Sequence, residues 1–274
     1  MFEMGRGEVY IQYGSLPEKT AVQILSNFKE AALWKEGCKV LDIGCGPGNV
    51  THDILYPILP KSTSEIVGVD KCPEFIEYAR NNYEEKPIFS FRVLDIVNDE
   101  VPEELEQKFD YAVSFLCFHQ FSDHKAAFEN VSKMLKPGGE ILFYFAAKAS
   151  TFQLYETLAN NEKLSGYFPD WEKYCSPYKD SLNIKKDIEN FVNKMGYKIL
   201  SLRIDKKHHS FPMKYFQQLQ QSLVPLPLPD DFFSEIRNDM LIAIRNLKLS
   251  KIDGNSEEYF EFIGNIAILH AVKA

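Results

Sequence analysis

Hydrophobic and polar positions change their period repeatedly between residues 39 and 147. Short apolar runs alternate with stretches in which apolar residues recur every three or four positions, so buried strands are predicted to alternate with amphipathic helices. Repeated strand–helix units of this kind are typical of a doubly wound α/β sheet. The strands are predicted at 39–43, 65–70, 88–94, 110–115 and 140–147, and the helices at 52–59, 73–82 and 123–135.

Outside this range the pattern predicts an early helix and two long excursions. The early helix begins near Leu16, with Ser15 as its cap. The alternation resumes near the C-terminus with a helix and two strands, at 184–195, 197–205 and 259–272. The excursions at 148–183 and 206–258 interrupt it, the first rich in aromatic residues and the second mostly helical. Excursions this long are usually functional, so we expect one domain over 1–274 with two cap insertions above one end of the sheet.

Composition and charge exclude several classes of protein. A chain of 274 residues with 45% hydrophobic residues can bury one large core, and its net charge of −8 disfavours nucleic-acid partners. The five cysteines lack paired spacing, so neither a disulfide framework nor a metal site is expected, and a cytoplasmic location is predicted. No apolar run approaches ~18 residues, so no membrane span is expected. The charged N-terminus also lacks the apolar core of a signal peptide. Monomer and homodimer are both compatible with these features.

The stretch Leu41–Gly48 contains the end of a buried strand and three glycines on alternate positions, just before a predicted helix. Gly44, Gly46 and Gly48 let the backbone turn tightly with positive φ and approach a ligand that a Cβ atom would push away. A glycine turn and a helix N-terminus at the carboxyl end of a parallel strand predict a nucleotide-type site.

Three kinds of nucleotide compete for this turn. A phosphate-binding loop would need Gly-Lys-Ser/Thr after the turn, and Gly48-Asn49-Val50 lacks that sequence. A dinucleotide-binding turn would need its third glycine at the position of Asn49. The remaining interpretation is S-adenosylmethionine, which has no pyrophosphate to be cradled.

Carboxylates at the ends of the next two predicted strands support this interpretation. Asp70 can accept hydrogen bonds from both ribose hydroxyls, and Asp95 can accept from the adenine amino group while Ile96 packs on the ring. Both carboxylates could instead be ordinary helix caps. The fourth predicted strand ends near Ser114, beside the expected sulfonium. The predicted cofactor-binding residues are Asp42, Gly44, Cys45, Gly46, Gly48, Asp70, Lys71, Asp95, Ile96 and Ser114.

Four segments together resemble the class I S-adenosylmethionine-dependent methyltransferases. They are Leu41–Gly48, Gly68–Asp70, Leu94–Ile96 and Leu135–Gly139. The resemblance covers residues 39–147 and implies that they form the cofactor-binding core. It also implies a Rossmann-like sheet of seven strands whose last strand is antiparallel, with S-adenosyl-L-methionine as cofactor and S-adenosyl-L-homocysteine as product.

A narrower resemblance extends over most of the chain. It rests on Phe91–Ile96, Phe109-Asp110, Ser114-Phe115, Ser176–Tyr178 and Met195–Tyr197. These segments are similar to the arthropod juvenile hormone acid methyltransferases, and the resemblance implies methylation of the carboxylate of a small lipophilic acid such as farnesoic acid or juvenile hormone acid. Two positions near the family's substrate depart from its usual pattern, since Gln120 replaces a tryptophan and Pro17 replaces a common glutamine.

The acceptor decides which side chains the chemistry requires. An ionised carboxylate needs alignment and no general base, whereas a phenol or amine acceptor would need a base. His119 and Gln120 follow the fourth predicted strand and are the predicted catalytic residues, although a structural role for His119 is equally expected. His124 is predicted to lie on a helix surface, and Tyr10 and Tyr13 could close over the cofactor. The predicted substrate-binding residues are Tyr13, Phe115, Phe168, Trp171 and Tyr178. A methyltransferase for another small-molecule acceptor and a non-catalytic ligand-binding relative are the alternatives.

Overall fold

A mixed β-sheet forms the centre of the molecule. The computed structural model describes residues 6–13, 22, 25, 34–121, 123–167, 170–217 and 232–274. The strands are β1 (Lys39–Ile43), β2 (Glu65–Asp70), β3 (Phe89–Val93), β4 (Phe109–Phe115), β5 (Leu135–Ala149), β6 (Tyr197–Pro212), β7 (Ser250–Ile252) and β8 (Glu258–Lys273). Their spatial order is β3-β2-β1-β4-β5-β8-β6, and the short β7 pairs with β8.

The direction of the strands divides the sheet into two parts. Strands β1 to β5 are parallel to one another. Strand β8 is antiparallel to both β5 and β6, between which it lies. The predicted seven-stranded sheet with an antiparallel last strand is therefore confirmed, and β7 adds a short eighth strand beside the start of β8.

Helices and helical turns connect the strands. The α-helices are α1 (Arg6–Tyr13), α2 (Pro73–Tyr83), α3 (His124–Met134), α4 (Ser150–Ala159), α5 (Ile184–Lys194) and α6 (Phe232–Asn246). The side chain of Asp123 caps α3 by accepting from the Ala126 N–H at 2.9 Å, and Asn183 caps α5 by accepting from the Lys186 N–H at 3.2 Å. Each cap satisfies a backbone donor that the first helical turn leaves unpaired.

Successive strand residues enter two separate hydrophobic clusters. Leu41 and Ile43 belong to one cluster with α3 and α5, whereas Val40 belongs to the other with α2. All three side chains are fully buried. A strand buried on both faces explains why β1 has a nearly continuous apolar sequence without strict alternation.

Three local predictions differ from the structure or lie outside it. The expected helical start of the second excursion is wrong, because 206–212 continues β6 and remains paired with 259–265 of β8. The helix predicted over 52–59 is a π-helix at Val50–Leu55 followed by a 3₁₀ turn, where Pro57 supplies no N–H for an α-helical ladder. The early helix with its Ser15 cap lies outside the described residues.

The two excursions pack against each other. Leu154 and Leu158 of α4 share a hydrophobic cluster with Met213, Phe216 and residues of α6. The ring of Phe216 stacks on Phe260 of β8 with 3.7 Å between ring centres. Among the described residues, no helix is both long and apolar enough to cross a membrane, and no group of three metal-binding side chains was found.

Candidate active site

A cavity of about 600 Å³ opens at the carboxyl ends of β1 to β4. Parallel strands that end together leave such a crevice where the strand order reverses, here between β1 and β4. One part of the lining is polar and includes Asp70, Lys71, Glu74 and Asp95. The other part follows β4 and consists of Phe115, Leu116, Cys117, Gln120 and Phe121.

The glycine turn after β1 forms the floor of the cavity. Gly44 and Gly46 line it with φ values of 69° and 56°, in the left-handed region that favours glycine. The Gly44 N–H donates to the carbonyl of Val69 at 2.8 Å, which fixes the turn against β2. A Cβ atom on Gly46 would meet no protein atom within 4 Å. The backbone of the turn is therefore open to a ligand at Gly46.

Asp70 connects the glycine turn to α2. Its Oδ2 accepts from the Gly46 N–H at 3.0 Å, and its Oδ1 accepts from the Cys72 N–H at 2.8 Å. The carboxylate lines the cavity at the end of β2. Each carboxylate oxygen has two lone pairs, so Asp70 can hold the turn and still accept from ligand hydroxyls.

Asp95 lines the cavity beyond β3 and also organises its own loop. Its Oδ1 accepts from the Val97 N–H at 2.9 Å, and its Oδ2 accepts from the amide of Asn98 at 2.8 Å. Asp95 therefore both caps the backbone of its own loop and lines the cavity. Ile96 lies beside it in the lining with 4% exposure and offers an apolar surface.

Several residues predicted to contact the cofactor lie beneath the cavity instead. Asp42 is buried and accepts from the Thr51 hydroxyl at 2.6 Å, and the Ser114 hydroxyl donates to the Ile43 carbonyl at 2.9 Å. Burial raises the pKa of Asp42 to about 7, against the opposing effect of the Thr51 hydrogen bond. Cys45 is also buried, and Gly48 packs so closely on Ala79 and Phe91 that a Cβ atom would lie 3.0 Å from each. These groups shape the turn from below.

The two predicted catalytic residues face different surroundings. Gln120 lines the cavity, whereas His119 does not. The Nδ1 atom of His119 is buried and has no hydrogen-bond partner among the described residues, and its ring lies 6.0 Å from that of Phe152. Burial, with a smaller effect from nearby His124, lowers the pKa of His119 to about 4. His119 is therefore neutral at pH 7.

His124 corrects a sequence-based expectation. It is 5% exposed and hydrogen-bonds through Nε2 to the Phe118 carbonyl at 2.9 Å. Burial lowers its pKa to about 4, although that hydrogen bond acts in the opposite direction. The predicted surface position is wrong because His124 starts α3 on the side that faces the sheet, among Phe145 and Tyr178.

Comparison with known proteins identifies the family. Residues 34–196 match the family model described as a methyltransferase domain. The chain belongs to this family. It is 28% identical to juvenile hormone acid O-methyltransferase from Bombyx mori over 90% of this chain and 88% of that protein. It is 26% identical to the Drosophila melanogaster enzyme of the same name over 98% of this chain and 93% of that protein.

A solved structure shows the same fold with a bound cofactor. The phosphoethanolamine N-methyltransferase 2 of Haemonchus contortus, in complex with S-adenosyl-L-methionine, superposes with a TM-score of 0.51 at 19% identity. The superposition covers 92% of this chain and 52% of that one. The present protein is an S-adenosylmethionine-dependent methyltransferase.

The cavity of the methyltransferase fits its cofactor chemically. The open side of Gly46 offers room beside the backbone, Asp70 and Asp95 offer acceptors for hydroxyl and amino groups, and Ile96 offers a flat apolar contact. Tyr10 of α1 lines the same cavity, and its ring lies 5.5 Å from that of Phe75 of α2. An aromatic side chain from the N-terminal helix therefore closes one side.

The predicted substrate-binding aromatic residues do not form one set in the methyltransferase. Phe115 lines the cavity. Trp171 packs against both the cluster that contains Val40 and the cluster shared by the two excursions. Tyr178 is buried in the cluster that contains Leu41, and neither side chain lines this cavity. Phe168 and the side chain of Tyr13 lie outside the described part of the chain. Tyr178 enters the core because the Ser176 hydroxyl accepts from its N–H at 3.2 Å and turns the chain inward.

Several lining residues were missed by sequence reasoning, among them Glu74, Phe75, Leu116 and Cys117. Glu74 and Phe75 follow the predicted strand end by only a few residues, and that proximity was an available signal. Leu116 and Cys117 gave no comparable signal, because their place depends on a left-handed turn after β4.

Proposed function

We propose that this methyltransferase transfers a methyl group to the carboxylate of a small lipophilic acid, of the farnesoic acid or juvenile hormone acid type. The observation that carries the proposal is the neutral, largely apolar surface after β4, formed by Phe115, Leu116, Gln120 and Phe121. Two relatives that match nearly the whole chain are named for methylation of juvenile hormone acid, which supports the same acceptor class.

The protonation state of His119 favours an acid over a phenol or an amine. A phenol or amine must lose a proton on methylation, and a base with a pKa of about 4 removes it poorly. A carboxylate is ionised at pH 7, and its methylation releases no proton. The chain therefore needs an orienting donor more than a base on this side of the cavity.

Gln120 is the proposed orienting residue. Its amide can donate a hydrogen bond to one carboxylate oxygen while leaving the other oxygen free to react. Lys71 is the one lysine or arginine among the described lining residues, and it follows β2 rather than β4. A cation beside the reacting oxygen would stabilise the carboxylate ground state more than the transition state, in which its charge is being lost.

The cofactor side of the cavity is assigned to the residues at the ends of β1, β2 and β3. When bound there, S-adenosylmethionine supplies an electrophilic methyl group on its sulfonium. Gly44 and Gly46 give it backbone room, Asp70 accepts from the ribose hydroxyls, and Asp95 with Ile96 holds the base. Lys71 lies at the exposed rim.

The two excursions are proposed to enclose the lipophilic part of the acceptor. They share one hydrophobic cluster, so they are held together above the sheet. Phe152 of α4 lies beside His119 after β4, so the helix that supplies Leu154 and Leu158 to this cluster also contacts the segment after β4. The parts of these two excursions that lie outside the sheet are accordingly assigned as caps on the core formed by 39–147.

A panel of acceptors with labelled S-adenosylmethionine tests the proposal. Farnesoic acid and straight-chain acids of similar length are compared with phenols and amines of matched hydrophobicity. We expect label transfer to the acids, with kcat/KM rising with chain length, and little transfer to the others. Transfer confined to phenols or amines would contradict the acceptor class, and cofactor binding without transfer to any acceptor would favour the non-catalytic alternative.

A further inference from the structure

Leu116 has a backbone conformation that its side chain disfavours. It directly follows β4 with φ = 54°, and its N–H donates to the Tyr144 carbonyl of β5 at 2.8 Å. The left-handed region is strained for a residue with a bulky side chain, because its Cβ atom crowds the following carbonyl. Glycine would adopt this conformation without that strain.

The other left-handed non-glycine residues are of a different kind. Among the described residues, they are Gln107, Lys248 and Ser256, all polar and exposed at turns. Leu116 is apolar and partly buried, and it lines the cavity between Phe115 and Cys117. A bulky apolar side chain in this conformation therefore coincides with the site.

The neighbouring strand provides a direct comparison. Strand β1 is also followed directly by a left-handed residue, Gly44, with φ = 69°. Two adjacent parallel strands thus end in the same backbone region, one in glycine and the other in leucine. At Gly44 a side chain is excluded by Cys117, whereas at Leu116 a side chain is present despite the strain. A strained backbone conformation persists only where the surrounding structure enforces it, and such residues are concentrated at functional sites. The conformation of Leu116 therefore suggests a functional role for this residue.

We propose that Leu116 is an acceptor-contacting residue, whose side chain packs against the lipophilic acid beside its carboxylate and excludes water from the transfer site. This inference rests on the proposed function. Leu116 also packs against the hydrophobic cluster that contains Val40, so packing holds its side chain while it lines the cavity. A fixed apolar wall restricts the carboxylate to fewer orientations, which aligns it for in-line transfer.

A pair of truncations separates the backbone from the side chain. Leu116→Ala and Leu116→Gly both remove the side chain, but only glycine relieves the left-handed strain. We expect Leu116→Gly to melt about 2 °C or more above Leu116→Ala, because glycine adopts the left-handed conformation without strain and alanine does not. Leu116→Met is the control, because it keeps an apolar side chain of similar volume at the same backbone position.

The kinetic result decides the proposal. We expect kcat with farnesoic acid to fall about tenfold or more in both truncations, while the Kd for S-adenosylhomocysteine changes less than about threefold. Leu116→Met should keep more of this activity than either truncation. Full activity in both truncations would overturn the inference, and so would activity restored in Leu116→Gly alone, which would assign the role to the backbone. A wild-type protein that methylates no acid would instead contradict the proposed function itself.

Discussion

The Sγ atom of Cys117 lies only 2.1 Å from the point where a Cβ atom on Gly44 would stand. The turn after β4 therefore enters the space that glycine leaves in the turn after β1. Because Gly44 lines the side proposed for the cofactor and Cys117 begins the side proposed for the acceptor, this contact fixes the two halves of the cavity relative to each other. Burial raises the pKa of the Cys117 thiol well above its ordinary value, so Cys117 acts here as a small neutral group.

Substitution of Gly44 tests this contact. Gly44→Ala would place a methyl group within 2.1 Å of Cys117 Sγ and 2.4 Å of its Cβ, in a left-handed backbone. We expect unfolding to become easier by roughly 2–4 kcal/mol and the Kd for S-adenosylhomocysteine to rise at least about tenfold. Chemical denaturation and calorimetric titration measure both effects.

Gly138→Ala is the matched control for Gly44→Ala. Gly138 has φ = 70°, but a Cβ atom there would meet nothing within 4 Å. Gly138→Ala should lower the free energy of unfolding by only about 1 kcal/mol and leave cofactor binding unchanged. Gly44→Ala is expected to lower the free energy of unfolding by more than Gly138→Ala does. In a Cys117→Gly background, most of this extra loss should disappear. Equal effects of the two alanine substitutions would show that the contact with Cys117 has no energetic weight.

Asp70 is predicted to determine cofactor affinity. Asp70→Ala removes the acceptors for the Gly46 and Cys72 N–H groups as well as the proposed acceptors for the ribose hydroxyls. We expect the Kd for S-adenosylhomocysteine to rise about 10- to 100-fold by calorimetry, since each hydrogen bond to a charged group contributes roughly 1.5–3 kcal/mol. Asp53→Ala removes an exposed carboxylate away from the cavity and should bind normally. Unchanged affinity in Asp70→Ala would refute the assignment.

Asp42 is predicted to make stability depend on pH. Its pKa is raised from 3.8 to about 7 in the folded protein, so the folded state retains a proton that the unfolded state has lost. Its stabilising contribution is complete below about pH 4 and is lost as pH rises through about 7. Asp42→Asn mimics the protonated form. Its stability relative to wild type should therefore increase by a few kcal/mol between pH 5 and pH 8 in urea denaturation.

A decrease in the stability of Asp42→Asn relative to wild type between pH 5 and pH 8 would contradict a buried neutral carboxyl at Asp42. Thr51→Val provides a second measurement, because it removes the hydroxyl that donates to Asp42 Oδ2. Without that hydrogen bond the pKa of Asp42 should rise further, and the loss of stability should move to higher pH. If stability is lost at the same pH in Thr51→Val as in the wild type, a group other than Asp42 causes the pH dependence.

Gln120 is predicted to distinguish acceptor classes by charge. Gln120→Glu places a negative charge beside an acceptor that is itself negative, and Gln120→Leu removes the donor without adding charge. We expect kcat/KM for farnesoic acid to fall about tenfold in Gln120→Leu and about 100-fold in Gln120→Glu. For a phenol acceptor the added carboxylate could act as a base and would raise the rate instead. Steady-state kinetics with both acceptors separates the two outcomes.

The central strands of the sheet were predictable from sequence because they are largely buried. Residues such as Val40, Leu41 and Ile43 give an apolar run bounded by a glycine turn, and that pattern depends little on distant contacts. The continuation of β6 to Pro212 was not predictable in the same way. Polar residues such as Lys206 and His208 lie on this edge strand, and their pairing with β8 is set by residues more than 50 positions away.

In the candidate site, too, the features set by local sequence were predictable and those set by distant contacts were not. Gly44, Gly46 and Asp70 were predicted because the turn and the strand end specify them locally. The sequence could not separate a carboxylate in the cavity from one beneath it, as with Asp42, because that depends on which side of the strand end faces the crevice. The burial of His119 and His124 likewise depends on packing between distant segments.

The chemical nature of the product tests the central claim most directly. Farnesoic acid is incubated with methyl-labelled S-adenosylmethionine and the protein, and the organic extract is then treated with mild alkali. The account predicts that label enters the organic phase as a methyl ester and is released by alkali as methanol. Label held in an alkali-stable product, or no organic-phase label while S-adenosylhomocysteine still binds, would contradict it.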